Sequence, residues 1–74
     1  MSDKIMDASF MLQHCPEAVP HGQRLHAERF IEANVGPDLA EACESGAKDF
    51  ADEGRFYTAA ILLREHYRIR RADK

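Results

Sequence analysis

The feature that most constrains the fold of this chain is an amphipathic segment bounded by a proline and a glycine. Apolar and small residues recur there three or four positions apart, at Leu39, Ala42, Cys43, Gly46, Ala47 and Phe50. This spacing places them on one face of an α-helix. Pro37 suits the first helical position because it has no N–H to leave unpaired, and Gly54 suits a left-handed residue after the helix end. The sequence therefore predicts a helix from Pro37 to Glu53 with one face against a core.

A second helix is predicted from about Thr58 to Ala72. Thr58 is a candidate N-cap, and the run AAILLREHYRIRR that follows is rich in strong helix formers. Its apolar band is wide, which favours the most buried position in a bundle. Phe56 and Tyr57 precede the cap and are expected to pack as a staple against this helix. Because the connection after Gly54 is short, the last two helices are neighbours, either antiparallel or crossed as in a helix-turn-helix.

The N-terminal half predicts two further segments. Residues 22–34 have the pattern of a helix, and the Val-Gly-Pro run at 35–37 ends it. Residues 3–14 form either a helix or a short strand, and a loop with two prolines follows them. We therefore expect one all-α domain over residues 1–74, a bundle of three to four helices in which residues 1–20 are either integral or a mobile or docking N-terminal segment.

The length of 74 residues limits the stability that one core can supply. Single cores of this size rarely contribute more than about 3–5 kcal/mol, so association with itself or another protein is an expected supplement. The two cysteines, Cys15 and Cys43, are expected to be free thiols in a cytoplasmic protein, because the N-terminus lacks a secretory pattern. No apolar run approaches the ~20 residues that a membrane span needs.

The charges are divided between the two parts of the chain. Residues 1–54 contain four basic and eleven acidic residues, a balance of −7, whereas residues 55–74 contain six basic and two acidic residues, a balance of +4. Arg64, Arg68 and Arg71 recur at helical spacing and therefore form one stripe. The stripe is typical of a surface for an acidic protein or for nucleic-acid phosphate. It is also typical of arginines that complement their helix dipole or pair with the acidic helix at 37–53.

Two further surfaces are candidates for partner contacts. An apolar cluster near the N-terminus, at Met6, Phe10, Met11 and Leu12, is either core or a docking face, since methionine suits adaptable interfaces. An acidic surface is predicted over two helices, at Glu28, Glu32, Asp38, Glu41, Glu44, Asp49, Asp52 and Glu53. It is either an ordinary solvated surface or a decoy for nucleic acid.

Metal binding and catalysis are not expected. Four potential zinc ligands lie within thirteen residues, namely His14, Cys15, His21 and His26. Their spacing matches no standard zinc pattern, and paired CxxC elements do not occur in the sequence. Cys43 and His66 are the one conceivable dyad, but both fall on apolar helix faces, which favours a buried, inert thiol. We therefore expect no cofactor, no metal and no small-molecule substrate.

A resemblance to a protein family covers residues 30–71. The residues that carry it are F-I-E-A-N at 30–34, an amphipathic helix, and G-R-F-Y-T-A-A-I-L-L-R-E-H-Y-R at 54–68. They resemble the pattern F-x-x-x-N-P, a helix, then G-[RK]-x-x-[ST]-x-x-x-I-x-[ED]-x-x-R of small uncharacterised helical proteins from phages, plasmids and bacterial accessory regions. The resemblance implies a mobile-element protein that acts by binding, and it implies no catalytic residue.

These observations together predict a small non-enzymatic protein-binding module or regulator, such as a phage counter-defence factor. Its candidate partner-binding residues are Arg55, Arg64, Arg68, Arg71, Met6, Phe10 and Met11. The alternative is a DNA-binding transcriptional regulator that uses the basic C-terminal helix, with Arg55, Thr58, Arg64 and Arg68 as contacts. The net charge of −3 argues against a dedicated DNA binder, because phosphate contacts dominate that affinity.

Overall fold

The computed structural model describes residues 2–72, and these form four α-helices. Helix α1 spans Ser2–His14, α2 His21–Ala33, α3 Leu39–Asp52 and α4 Phe56–Ala72, with a single 3-10 turn at Pro16–Ala18. The described residues contain no strand. The prediction of a small all-α bundle is therefore confirmed. The N-terminal segment, for which a helix and a short strand were both open, is a helix. None of the helices in residues 2–72 is long and apolar enough to cross a membrane.

Helix α4 lies at the centre of the bundle and packs against each of the other three helices, most extensively against α3. Its buried residues include Ala59, Ala60 and Leu62, and the core around them is made largely of alanines from α2 and α3. Such small side chains let helix backbones approach closely. The last helix was expected to be the most buried one, but α4 and α3 each have five buried residues, among 17 and 14 residues respectively, so α4 does not exceed α3.

Helices α3 and α4 form an antiparallel hairpin. A short turn joins the end of α3 to the start of α4, and at the opposite end the Nδ1–H of His66 donates to the carbonyl oxygen of Ala40 at 2.8 Å. Contact at both ends requires the two helices to run side by side in opposite directions. The structure thus takes the antiparallel alternative rather than the crossed one.

The end of α3 follows the prediction made from Gly54, whereas its start does not. Gly54 has a φ of 83°, and its N–H donates to Ala51 while the N–H of Arg55 donates to Phe50. These two bonds form a Schellman motif, which satisfies carbonyls that the helix leaves without partners. At the other end α3 begins at Leu39, so Pro37 lies two residues before the helix and not at its first position.

The start of α4 is capped from another helix. The predicted cap, Thr58, lies inside α4 and is fully buried, so that prediction is wrong. The side-chain oxygen of Gln23, from α2, accepts the N–H groups of Tyr57 and Thr58 at 3.2 and 3.3 Å. The Thr58 hydroxyl in turn donates to the Gln23 carbonyl at 3.1 Å. Phe56 and Tyr57 belong to the first turn of α4 and do not precede it, so the predicted staple is wrong as well.

Candidate functional site: an arginine-lined cleft

An open cleft of about 540 Å³ lies where α4 meets α1 and α2. Its cationic side chains come from two helices: Arg24 from α2, and Arg64, Arg68 and Arg71 from α4. Apolar surface comes from Leu12 of α1 and from Ile61 and Tyr67 of α4, and two carboxylates, Glu28 and Glu65, complete the lining. We call this site the arginine cleft. It combines positive charge with apolar surface, which is the composition of many protein-binding sites.

The stripe predicted from the sequence lies along one wall of this cleft. Arg64, Arg68 and Arg71 are exposed, and they share a face of α4 because they are four and three residues apart. Most of the cleft-lining residues of α4 therefore lie in its C-terminal half, while most of its buried residues lie in its N-terminal half. Arg24 was not predicted as a site residue, because it reaches the cleft only through the packing of α2 on α4.

Two of the four arginines are held by neighbouring groups. Arg68 donates to both carboxylate oxygens of Glu65, one turn earlier on α4. The hydrogen bond from Arg68 and its positive charge lower the pKa of the Glu65 carboxyl, although partial burial opposes this effect. Arg24 donates to the carbonyl oxygen of Pro16 at 2.8 Å. Arg64 and Arg71 form no ion pair and no side-chain hydrogen bond with any residue whose side chain is described.

Arg55 lies apart from the cleft. It stands just before α4, nine residues ahead of Arg64, which is about 13 Å along a helix axis. Its guanidinium donates to Nδ1 of His26 at 2.6 Å and lies 3.6 Å from a carboxylate oxygen of Glu53. The structure therefore does not bring Arg55 together with the arginine stripe. The expected pairing of basic residues with the acidic helix occurs for Arg55 but, in the described part of the chain, not for the stripe.

The N-terminal cluster is divided between solvent and core. Met6 and Phe10 are 67% and 59% exposed on the outer face of α1, and Met11 is half-buried. The ring of Phe10 lies 4.3 Å from the ring of His14, centroid to centroid. The core interpretation is therefore wrong for Met6 and Phe10, and their role as a docking face stays a prediction.

The predicted acidic surface is exposed at all of its eight positions. Helix α3 supplies half of these carboxylates and contributes no described residue to the arginine cleft. Only Glu28 belongs to both the acidic surface and the cleft. The positive and negative charges that the sequence separates along the chain are thus also largely separated in space.

Within the described part of the chain the candidate metal ligands are not clustered, and the candidate dyad of Cys43 and His66 lies in the packed interior of the bundle. Among the described residues, no three His, Cys, Asp or Glu side chains lie close enough together to hold a metal ion. Both cysteines are free, and Cys43 is fully buried. Burial, and to a smaller extent the charge of Glu65, raise the pKa of the Cys43 thiol, so the reactive thiolate is disfavoured. His66 is buried and held by the carbonyl oxygen of Ala40.

No family model, no curated protein and no solved structure matches this chain. The resemblance of residues 30–71 to the phage and plasmid family therefore stays a prediction, and function has to be inferred from the geometry of the arginine cleft.

Proposed function

We propose that this chain is a non-enzymatic protein-binding module whose arginine cleft receives an acidic part of a partner protein. The observation that carries the proposal is the convergence of four arginines around the apolar side chains of Leu12, Ile61 and Tyr67. Two carboxylates offset part of this charge, so the lining keeps an excess of positive charge. An anionic ligand that also has apolar side chains suits such a surface best.

The side-chain types favour a protein ligand over simple solvation of the helix end. Guanidinium groups bind carboxylates through two parallel hydrogen bonds, and arginine and tyrosine are enriched at the energetic centres of protein interfaces. Tyr67 is 60% exposed at the cleft, between the stripe arginines. An exposed tyrosine beside arginines gives a partner both a large apolar contact and charged hydrogen-bond donors.

The position of α4 favours a protein ligand over duplex DNA. In a helix-turn-helix the N-terminal residues of the second helix reach the base edges of the major groove. Here the first turns of α4 are closed to such contacts, because Thr58, Ala59 and Ala60 are fully buried. The neighbouring helix α3 also exposes several carboxylates, which repel phosphate.

The resemblance to phage and plasmid proteins gives this proposal a setting, in which the module is a counter-defence or regulatory factor of a mobile element. The exposed Met6 and Phe10 provide a second candidate contact, with Met11 at its edge. Genes that neighbour the coding sequence test the setting directly, since a mobile element places it among phage or plasmid genes.

Affinity capture with charge-reversal variants tests the proposal. The cleft variant is Arg64→Glu with Arg68→Glu, and the matched control is Arg55→Glu with Arg70→Glu, which makes the same charge change outside the cleft. We expect a partner protein that the wild type and the control both retain and that the cleft variant loses. Circular dichroism of each variant verifies that the bundle is folded.

Two outcomes oppose the proposal, one from affinity capture and one from a mobility-shift assay of the same variants with DNA. If the cleft variant retains every partner of the wild type, the arginine cleft is not the binding surface. If the wild type shifts a mixed-sequence DNA duplex, with an affinity that falls steeply between about 50 and 200 mM salt, and the cleft variant does not, the DNA-binding regulator replaces the protein-binding module.

A further inference from the structure

We propose that the ligand of the arginine cleft is an amphipathic helix of a partner protein, with two carboxylates seven residues apart and apolar residues between them. This inference rests on the proposed function and specifies the chemistry of the partner. The observations behind it are the spacing of the two arginines without partners among described residues, the neutral and apolar centre between them, and the carboxylate of Glu28 at the cleft.

The spacing of the available charges comes from α4. Arg64 and Arg71 are seven residues apart on one face, so their Cα atoms are about 10.5 Å apart along the helix axis. Both side chains are exposed and have no ion pair within the described part of the chain. A ligand can therefore engage both guanidinium groups without first breaking a salt bridge to any residue whose side chain is described.

The centre of the site has a different character from its two ends. Arg68 lies between the other two arginines of the stripe, but Glu65 holds it in a two-point hydrogen bond and offsets its charge. Tyr67 adds apolar surface between the two outer arginines, while Ile61 lies about one turn before Arg64 on the same helix. The middle of a ligand is therefore best apolar, with its negative charges at the two ends.

Backbone geometry selects a helix as the form of the ligand. Residues seven apart on an α-helix are also about 10.5 Å apart and on the same face, and the residues three and four along lie between them on that face. A β-strand covers about 10 Å in three residues, but side chains three apart point to opposite faces. A helix thus presents two carboxylates and an apolar centre at the required spacing, whereas a strand does not.

The carboxylate of Glu28 also discriminates among ligands. It lies at the cleft and is exposed. A uniformly charged polyanion brings many negative charges into the cleft that holds this carboxylate, which is repulsive, whereas a helix with two carboxylates brings only two. The same feature disfavours single-stranded nucleic acid, which carries one phosphate for each nucleotide.

Fluorescence anisotropy with designed peptides tests the inference. The matched probe is a labelled alanine-rich helix of about 20 residues, with glutamates at positions i and i+7 and leucines at i+3 and i+4. The control peptide has the same composition, with the second glutamate moved to i+9, on the opposite face of the helix. We expect the control to bind about fivefold more weakly, the factor for one exposed ion pair.

Variants of the protein locate the contacts. Arg64→Ala and Arg71→Ala are each expected to weaken binding of the matched peptide by about fivefold. Arg70→Ala is the matched control, because Arg70 is an exposed arginine next to Arg71 that does not line the cleft. It is expected to leave the affinity unchanged at fixed salt concentration.

Three results overturn the inference: equal affinity for the two peptides, an equal loss with Arg70→Ala, or no binding of the matched peptide. Its failure differs from failure of the proposed function. If affinity capture yields a partner that the cleft variant loses while neither peptide distinguishes the arginines, the module stands and the helical ligand is wrong. If the variants change only the binding of a DNA duplex, both are wrong.

Discussion

The packing of Phe30 from α2 against Gly46 of α3 leads to a prediction for the variant Gly46→Ala. Gly46 lies in the middle of α3, where the ring of Phe30 occupies the space that a Cβ atom would need. A Cβ atom at position 46 would stand 2.5 Å from Cζ of Phe30 and 3.0 Å from each of its Cε atoms. Carbon atoms pack at about 3.5–4.0 Å, so Gly46→Ala requires the ring to retreat by roughly 1 Å.

Two effects of opposite sign determine the stability of this variant. Alanine is favoured over glycine inside a helix by about 1 kcal/mol. Overpacking of this kind costs about 1–3 kcal/mol, and the ring of Phe30 is also engaged edge-on by Phe50, at a centroid distance of 5.8 Å and an angle of 80°. We therefore expect Gly46→Ala to lower the free energy of unfolding by about 1 kcal/mol, despite its higher helix propensity.

A double-mutant cycle separates the two effects. Phe30→Leu removes the three ring atoms that would clash, so in this background Gly46→Ala is expected to be stabilising by up to about 1 kcal/mol. The coupling energy between the two positions is then about 2 kcal/mol. Gly22→Ala serves as the control, because Gly22 is in the first turn of α2 and nothing lies within 4 Å of a Cβ placed there.

Thermal unfolding followed by circular dichroism measures each corner of the cycle. For a domain of this size, 1 kcal/mol corresponds to about 4–8 °C in Tm. Gly46→Ala should lower Tm in the wild-type background and raise it in Phe30→Leu, whereas Gly22→Ala should not lower it in either. If Gly46→Ala raises Tm by the same amount in both backgrounds, Phe30 is not seated on Gly46 and the packing described for α2 and α3 is wrong.

Three further predictions concern single side chains. Thr58→Val removes the buried hydroxyl that donates to a carbonyl of α2, so the free energy of unfolding in urea should fall by about 1 kcal/mol; an unchanged midpoint contradicts this. Arg68 lowers the pKa of the Glu65 carboxyl, so the pair stabilises the fold above the ordinary carboxyl range, and this stabilisation is lost as the pH falls through the lowered pKa. Glu65→Gln should therefore unfold with a weaker acid dependence than the wild type, and identical pH profiles refute it. Burial raises the pKa of the Cys43 thiol, so iodoacetamide should modify half-buried Cys15 first, and mass spectrometry of the alkylated protein reads the order.

The sequence was sufficient where local chemistry determines the structure. The apolar spacing around Cys43 and the glycine at position 54 predicted the buried face and the end of α3, because both depend on residues within one or two turns. The start of the same helix was less well determined. Pro37 suits either a first helical position or the turn before it, and the structure has the turn.

The sequence was insufficient where a distant residue supplies the partner. Thr58 has the side chain of an N-cap, but the oxygen that receives the first N–H groups of α4 belongs to Gln23, more than thirty residues earlier. Gln23 also accounts for the position of Thr58 inside the helix, since the buried hydroxyl finds its acceptor on α2. No pattern within the last helix encodes a cap that arrives from another helix.

The arginine cleft likewise combines features that the local sequence determines with features that depend on distant residues. Helical spacing alone placed Arg64, Arg68 and Arg71 on one stripe, because that spacing is a property of a single helix. The opposite side of the cleft needs tertiary structure, since Arg24 comes from α2. Exposure of Phe10 also could not be derived from the sequence, because an apolar stripe in a helix does not state whether another element covers it.

The separation of charge also bears on how fast the acidic partner proposed for the cleft would associate. Helix α3 holds exposed carboxylates and lines no described part of the cleft, whereas the C-terminal half of α4 holds the arginines. A chain of net charge −3 therefore repels an acidic partner from most directions and attracts it at one surface. Such an arrangement orients the encounter, so added salt should reduce the association rate more than it raises the dissociation rate. Replacing acidic residues of α3 by neutral ones should then speed association while weakening this orientation, even though none of those residues touches the ligand.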